Sequence, residues 1–288
     1  MATQGIFTLY LGKLDPNTGQ LLKGIEGLSE SGIYEADGHQ NATAEGATQI
    51  QISNLGTAPT LQYSNNKAKR ATKTRSYPTA EFTMLDLGFE VKQKILGKVQ
   101  TTSKGFVDGE KDAHVAAIAV TQTLDKQHYV YYAFANGTMI EGNKTMGTNT
   151  NAETDSNDVM TLTTMNPIID GQFGGEPYQV GSDLIDGFSL DGLMTETFPG
   201  YTKPVAVSEV SLDKPTNTLT VGGSATAVAT IAPADATDKS VVWQSSDTTI
   251  VTVDGNGKYT GVKSGTADVT VTTNDGAKSA KVTVTVGA

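Results

Sequence analysis

The chain of 288 residues contains no cysteine, one tryptophan and three histidines. Without cysteine there are no disulfides, thiolate metal sites or cysteine nucleophiles, and folding in a reducing cytosol is expected. No stretch approaches the roughly 20 consecutive apolar residues of a membrane span, so membrane insertion is not expected. The start, Met1-Ala2-Thr3-Gln4-Gly5, lacks a basic segment followed by an apolar one, so no secretory signal is expected. For the same reason the acceptor patterns Asn41-Ala42-Thr43 and Asn136-Gly137-Thr138 read as chance matches to a glycosylation site.

Groups that could carry chemistry are equally sparse. His39, His114 and His128 stand apart from each other and from carboxylate clusters. A metal site needs several ligands at workable distances, so these read as surface or strand-end residues. Asp108-Gly109-Glu110-Lys111-Asp112 begins like a calcium loop but lacks the twelve-residue ligand pattern and closing glutamate, which leaves a polar turn. Gly171-Gln172-Phe173-Gly174-Gly175 has the glycines of a phosphate loop without its Gly-Lys-Ser/Thr ending, and there is no Gly-x-Ser-x-Gly elbow. No catalytic residue, cofactor site or metal ligand is assigned, and an enzyme is the least supported reading.

Positive charge is also short. The formal net charge is −10, and residues 1–203 hold 15 basic against 23 acidic residues. That balance argues against a protein that grips DNA, which needs a basic patch to displace counterions. It does not argue against a surface that DNA must pass without sticking. One basic cluster, Lys67, Lys69, Arg70, Lys73 and Arg75, stands out and reads as a solvated segment or half of a subunit-to-subunit set of salt bridges.

What is present favours β-structure. Gly, Thr, Ala and Asn are abundant, and 37% of the residues are hydrophobic, enough for real cores. Two domains are expected from the length. Gly200-Tyr201-Thr202-Lys203-Pro204 reads as a linker, giving domains at 1–200 and 205–288 with 201–204 between them. After the linker, strands are predicted at 207–212, 219–221, 225–231, 241–245, 250–253, 258–262, 267–272 and 280–286. Lys281-Val282-Thr283-Val284-Thr285-Val286 alternates apolar and hydroxyl side chains, as a strand with one buried face requires. Turns such as Asp254-Gly255-Asn256-Gly257 separate these strands, which indicates a sandwich. Trp243 is expected to be the packed core aromatic, with a sugar-stacking role as the sharper alternative.

The run Val210-Ser211-Leu212, Leu219-Thr220-Val221-Gly222, Ile231-Ala232-Pro233-Ala234-Asp235, Trp243-Gln244-Ser245-Ser246-Asp247, Ile250-Val251-Thr252-Val253 and Gly257-Lys258-Tyr259-Thr260-Gly261-Val262 resembles the bacterial immunoglobulin-like domain of group 2, in order and spacing.

In the first 200 residues, strands are predicted at 5–14, 21–25, 80–85, 115–123, 129–135 and 159–165, with a turn at Asp15–Gly19. Glu35–Tyr77 reads as a long loop with one alternating core at Gln49-Ile50-Gln51-Ile52. The clearest helix runs from Asp86 as N-cap to Gly97, with Leu87, Val91 and Ile95 on one buried stripe. A polar turn is expected over 147–158.

The strand at 80–85, the helix ending Ile95-Leu96-Gly97, the aromatic strand Tyr129-Val130-Tyr131-Tyr132-Ala133-Phe134 and Ala152-Glu153-Thr154-Asp155-Ser156 ahead of Val159 together resemble the major tail proteins of long-tailed bacteriophages. The resemblance implies a mainly β fold: a tail-tube sandwich or barrel with one flanking helix and a long loop reaching a neighbouring subunit, plus the immunoglobulin-like sandwich. It implies a structural virion protein assembled in the host cytoplasm. The implied assembly is stacked hexameric rings forming a tube, with tape measure, distal tail and terminator proteins as partners. DNA would pass through the lumen without specific binding, and an outward decoration domain would make at most a weak contact with host cell-wall carbohydrate. The alternative reading is a bacterial surface or adhesin-type binding protein with an immunoglobulin-like module.

Overall fold

A computed structural model describes residues 3–36, 46–65, 67–72, 74–109, 112–143 and 157–287. It divides into two compact units, Met1–Thr202 and Lys203–Ala288.

The first unit is built from β1 (Thr3–Leu14), β2 (Ile33–Glu35), β3 (Gly46–Ser53), β4 (Thr60–Ser64), β5 (Lys67–Thr72), β6 (Thr79–Asp86), α1 (Phe89–Ile95), β7 (Lys98–Gln100), β8 (Phe106–Asp108), β9 (His114–Thr123), β10 (Tyr129–Glu141), β11 (Asp158–Thr164), β12 (Tyr178–Ser182) and α2 (Leu190–Thr197). The main sheet has the order β2-β1-β9-β10-β11-β6-β3, and β12 adds to β10. All its pairs are antiparallel. β10 is shared. Its first half, Val130–Phe134, pairs with β12, and its second half, Gly137–Glu141, pairs with β11. The register with β9 breaks between Phe134 and Gly137, where the strand turns from one partner to the other.

β9 shows why this sheet sits at the centre. Val115, Ala117 and Ala119 join one core with Leu9, Phe82, Phe134 and Met160. Ala116, Ile118 and Val120 join a second core with Leu14, Tyr131 and Phe198. A strand covered on both faces loses the polar half of its alternation, which is what the run Val115–Val120 displays.

The fold class is the one expected, and several details differ. The helix starts at Phe89 with Gly88 as its cap, and Asp86 is instead the last residue of β6, opposite Gly46. Leu87 and Ile95 are buried as expected, but Leu87 packs from the connection ahead of the helix. Gly97 adopts φ 73° just past the helix, the left-handed geometry that glycine tolerates best. No strand forms at 21–25: Leu21 makes a single bridge to Leu14, and the chain then turns back on itself. The described part of Glu35–Tyr77 is not a loop. It holds β3 and the hairpin β4–β5. α2 was not expected. Ser189 caps it by accepting from Gly192 N at 3.1 Å, and Leu193 and Met194 bury against the second core. Gly192 within this short helix conceals it from periodicity. Of the polar turn at 147–158, residues 147–156 lie outside the described residues, and Asp158 opens β11.

The second unit contains β13 (Glu209–Leu212), β14 (Thr216–Thr220), β15 (Ser224–Thr226), β16 (Ala229–Ala232), β17 (Val241–Ser245), β18 (Val251–Val253), β19 (Lys258–Gly261), β20 (Gly265–Thr273) and β21 (Ser279–Gly287). The sheets are β14-β21-β20-β17, β15-β19-β18 and β13-β16. The single strand expected at 225–231 is thus divided between two sheets. Val251, Val269, Val282 and Val284 fill the core. The fully enclosed aromatic is Tyr259, whose hydroxyl accepts from Asn217 Nδ2 at 2.6 Å. Trp243, expected in that role, is only partly buried. It lies on β17, the sheet's edge strand, and its ring covers Gly257, where an added Cβ would come within 2.7 Å.

Candidate assembly surfaces

The antiparallel ladders give the first unit two ends. β1, β6 and β10 run in one direction and finish at Leu14, Asp86 and Glu141, which mark the far end, but their starts are staggered: Tyr129 is level with Gln4, whereas Thr79 is level with Thr138, nine residues further along β10. β3, β9 and β11 run the other way.

Among the described residues β2, β3, the first half of β1 and β12 each have an open edge, and the last two face each other across the sheet. β2 covers β1 only at Tyr10–Gly12, so Thr3–Thr8 has a ladder partner on one side alone among the described residues. β12 likewise pairs only with β10. Both edges lie at the same level. Rows run Thr8–Val120–Tyr131–Gly181 and Leu9–Ala119–Tyr132–Val180 from one edge to the other. Beside the β1 edge, β1 and β3 approach without pairing and leave a cleft of about 410 Å³ lined by Ile6, Ile50, Ile52, Leu55 and Tyr132. At the β12 edge Val180, Leu184 and Ile185 are exposed.

The β4–β5 hairpin leaves the sheet between Ser53 of β3 and Thr79 of β6, and all the described residues of its two strands are exposed. Leu61 faces Ala71 and Tyr63 faces Ala68, so these four share one side. Gln62 opposite Arg70 and Ser64 opposite Lys67 form the other, with Lys69 at the register shift. Residues 46–80 hold five basic residues and no acidic one. Lys67, Lys69 and Arg70 project from β5, and Lys73 lies outside the described residues. Arg75 turns back to Glu176 at 3.4 Å and Asn166 at 3.1 Å.

At the far end, residues 22–32 form a tightly bonded loop. Gly24 N and Gly32 N both donate to Ser29 O, and Lys94 Nζ from α1 donates to Gly27 O at 2.9 Å. A Cβ on Gly27 would fall 2.2 Å from Leu22 O. This loop presents Ile25, 92% exposed, beside Glu26 and Glu30. Phe89, Val99 and Val107 are exposed at the same end, with Asp86 and Glu90 flanking Phe89. Beneath them Lys92 is buried and bridges Glu141 at 2.5 Å and Asp158 at 2.7 Å. Burial alone would lower the Lys92 pKa, but the hydrogen bonds and charges of Asp158 and Glu141 outweigh it and raise the value.

Residues examined for chemistry stay apart. His114 opens β9 and bonds Asn136 through Nδ1 at 2.9 Å, and His128 precedes β10, 3.4 Å from Asp183. His39 and Asn41 lie outside the described residues. Asn136, the other acceptor-pattern asparagine, is buried and donates to Asn166 O. Asp108 pairs with Lys98 at 3.8 Å, and Glu110 and Lys111 lie outside the described residues. Gln172–Gly175 forms a single tight turn in which Gln172 donates to Glu196 O. Among the described residues no cluster of three potential metal ligands occurs, and no helix is long and apolar enough to cross a membrane. Sequence reasoning missed the open edges and the apolar far end, because an edge is a property of pairing and leaves no mark in one strand's composition.

Several known proteins are similar to parts of this chain. An uncharacterized protein of Clostridium acetobutylicum is 39% identical over 115 residues, covering 36% of this chain and 27% of that one. An Ig-like virion protein of Serratia phage KSP90 is 43% identical over 83 residues, covering 28% and 32%. The chain therefore spans less than a third of the length of either relative. Among solved structures, domains 4 and 5 of the S-layer protein SbsC share 26% identity over 30% of this chain and 54% of that one, with a TM-score of 0.25. The bacterial Ig-like domain (group 2) model matches residues 206–284, and the phage tail tube protein model matches residues 1–206. The chain therefore belongs to the phage tail tube protein family, and it is a structural tail protein that carries a group 2 Ig-like domain after the part that matches that family.

Proposed function

We propose that this chain is the repeating subunit of the tail tube, that copies join side to side into closed rings, and that the rings stack around the path of the genome. The observation that carries this is the pair of open edges on one sheet, the first half of β1 and β12, level with each other on opposite sides. An unpaired edge is a template for another strand. Two different edges joining head to tail make a heterologous contact, which closes into a ring when the rotation allows. Six copies per ring is the number the family resemblance implies.

The charge supports a genome path. Apart from the five basic residues of 46–80, ten basic residues face 23 acidic ones across residues 1–203. An acidic wall repels phosphate over about 8–10 Å at physiological salt, which keeps passing DNA from adhering. Domains at 1–200 and 205–288 assign ring formation to the first and outward decoration to the second. If the second stacks on cell-wall carbohydrate, the ring it offers is the uncovered part of Trp243, because Tyr259 is enclosed. The tape measure, distal tail and terminator proteins are the partners at the ends of such a tube, and assembly takes place in the host cytoplasm. Electron microscopy of concentrated protein tests the reading: rings or tubes are expected. A folded protein that stays a monodisperse monomer at high concentration would refute it.

A further inference from the structure

We infer that the first unit builds its own covalent cross-link: Lys92 Nζ condenses with the Asp158 carboxyl group to form an amide, and Glu141 relays the protons. The inference is independent of the tube reading, because all three groups belong to one unit of one chain.

Elements far apart in sequence bring these groups together. Lys92 lies on α1, Glu141 ends β10 and Asp158 opens β11. Lys92 Nζ is 2.7 Å from Asp158 Oδ1 and 2.5 Å from Glu141 Oε1. Two carboxylates on one enclosed lysine are a costly way to hold a helix on a sheet, since apolar side chains of similar size do so without desolvating charge. The surroundings are apolar. Met84 stands opposite Asp158 and Met160 opposite Glu141, both in the first core, and Ile95 follows Lys92 on the helix. The side chains of Lys92 and Asp158 are 8% and 10% exposed, that of Glu141 30%. The two reacting groups are thus shut off from water, while Glu141 keeps some access to it. The more enclosed carboxyl is the acceptor, because water at its carbon would reverse the condensation. The more open one is the proton carrier.

In the resting cluster the hydrogen bonds and charges of the two carboxylates keep Lys92 protonated. The nucleophile is therefore made inside the cluster. Nζ passes a proton to Glu141 Oε1, and the freed lone pair attacks Asp158 Cγ. The C–N bond forms and one Cγ–O bond breaks. The departing oxygen takes the two protons that the nitrogen loses, handed on through Glu141, and leaves as water. One cation and two anions are present before the step, and the Glu141 anion alone after it, so charge balances once the amide is neutral. No co-reactant is needed. Groups fixed in contact behave as though present at about 10⁵–10⁸ M, which drives a condensation that free amine and acid do not complete in water. The product staples α1 to β11.

The test is the intact mass of the folded full chain, followed during incubation at neutral and mildly alkaline pH. Loss of one water, about 18 Da, is expected as a covalent change of the chain. Tandem mass spectrometry of a tryptic digest should find a branched peptide joining Lys92 to Asp158, with no cut after Lys92. K92R and D158A should keep the full mass. E141Q leaves the reacting pair in place and should slow the bond by about 10²–10⁴-fold. Circular dichroism checks that each variant is folded, and the wild-type mass decides the question where a variant is not. A folded wild-type chain that keeps its full mass throughout would overturn the proposal, as would a water loss mapped to an aspartate cyclised on its own backbone. A branched peptide running through Glu141 would overturn the choice of acceptor, and bond formation in E141Q at the wild-type rate would overturn the relay.

Discussion

Gly257 sits where two constraints meet, and replacing it with alanine isolates both. Its φ is 77°, in the left-handed region, and an added Cβ would lie 2.7 Å from the Trp243 ring and 2.9 Å from Ala227 O. Holding an L-residue in that backbone region costs about 1–2 kcal/mol. Forcing a methyl group into an occupied contact costs about 1–3 kcal/mol more. Gly257→Ala should therefore destabilise the second unit by about 2–5 kcal/mol, a large share of the roughly 5–15 kcal/mol that holds a domain folded. The chain has one tryptophan, so its emission during urea unfolding reports this unit alone. The two contributions separate in a double-mutant cycle with Trp243→Leu, followed by circular dichroism because the fluorophore is gone. Removing the ring should relieve the steric part and leave the backbone part, giving a coupling of at least about 1 kcal/mol. A Gly257→Ala protein within about 0.5 kcal/mol of its parent, or costs that simply add, would refute the account of why Trp243 lies where it does.

Lys92→Met should cost the first unit about 3–5 kcal/mol, because it strands Glu141 and Asp158 beside a buried apolar chain. The raised Lys92 pKa fixes the sign of the pH dependence. The stabilisation is complete below the unfolded value near 10.4 and fades only as pH rises through the higher folded value. Thermal melts of wild type and Lys92→Met should thus keep a constant gap from about pH 7 to 10, and a gap that closes by pH 9 would count against the pairing. Ile95 is fully buried under α1, so Ile95→Ala should lose about 2–5 kcal/mol in chemical denaturation, and a neutral result would remove the helix from the core. A chain ending at Lys203 should still form rings under the electron microscope, and a folded but strictly monomeric product would show that the Ig-like domain takes part in assembly. Purified protein should fail to retain duplex DNA even at low salt, as measured by gel shift, and micromolar binding that collapses with salt would contradict an acidic passage.

The second unit was largely legible because its strands have one wet face. Lys281–Val286 prints that alternation directly, and turns such as Asp254–Gly257 punctuate it. Trp243 packs against the core as expected but is not its enclosed residue. Tryptophan is the largest side chain, but on an edge strand it is covered from one side only, and the smaller Tyr259 occupies the enclosed position. In the first unit, β9 and β10 were found from their apolar runs. β4 and β5 were not, because every residue in them is exposed and their Thr, Gln, Ala and Lys content is that of a loop. Pairing, not burial, makes them strands. The assembly surfaces were least visible for the same reason. The acid excess and the basic cluster could be counted, but an open edge depends on which strand is missing beside it.

The clamp under α1 has a bearing on how freely this chain can vary. Glu141 and Asp158 are drawn to one lysine, and Gly142 N donates to Val159 O just beyond. The facing ends of β10 and β11 are thus tied twice, once by charge and once through the backbone, so a substitution at either carboxylate leaves the backbone bond to hold the two strand ends together.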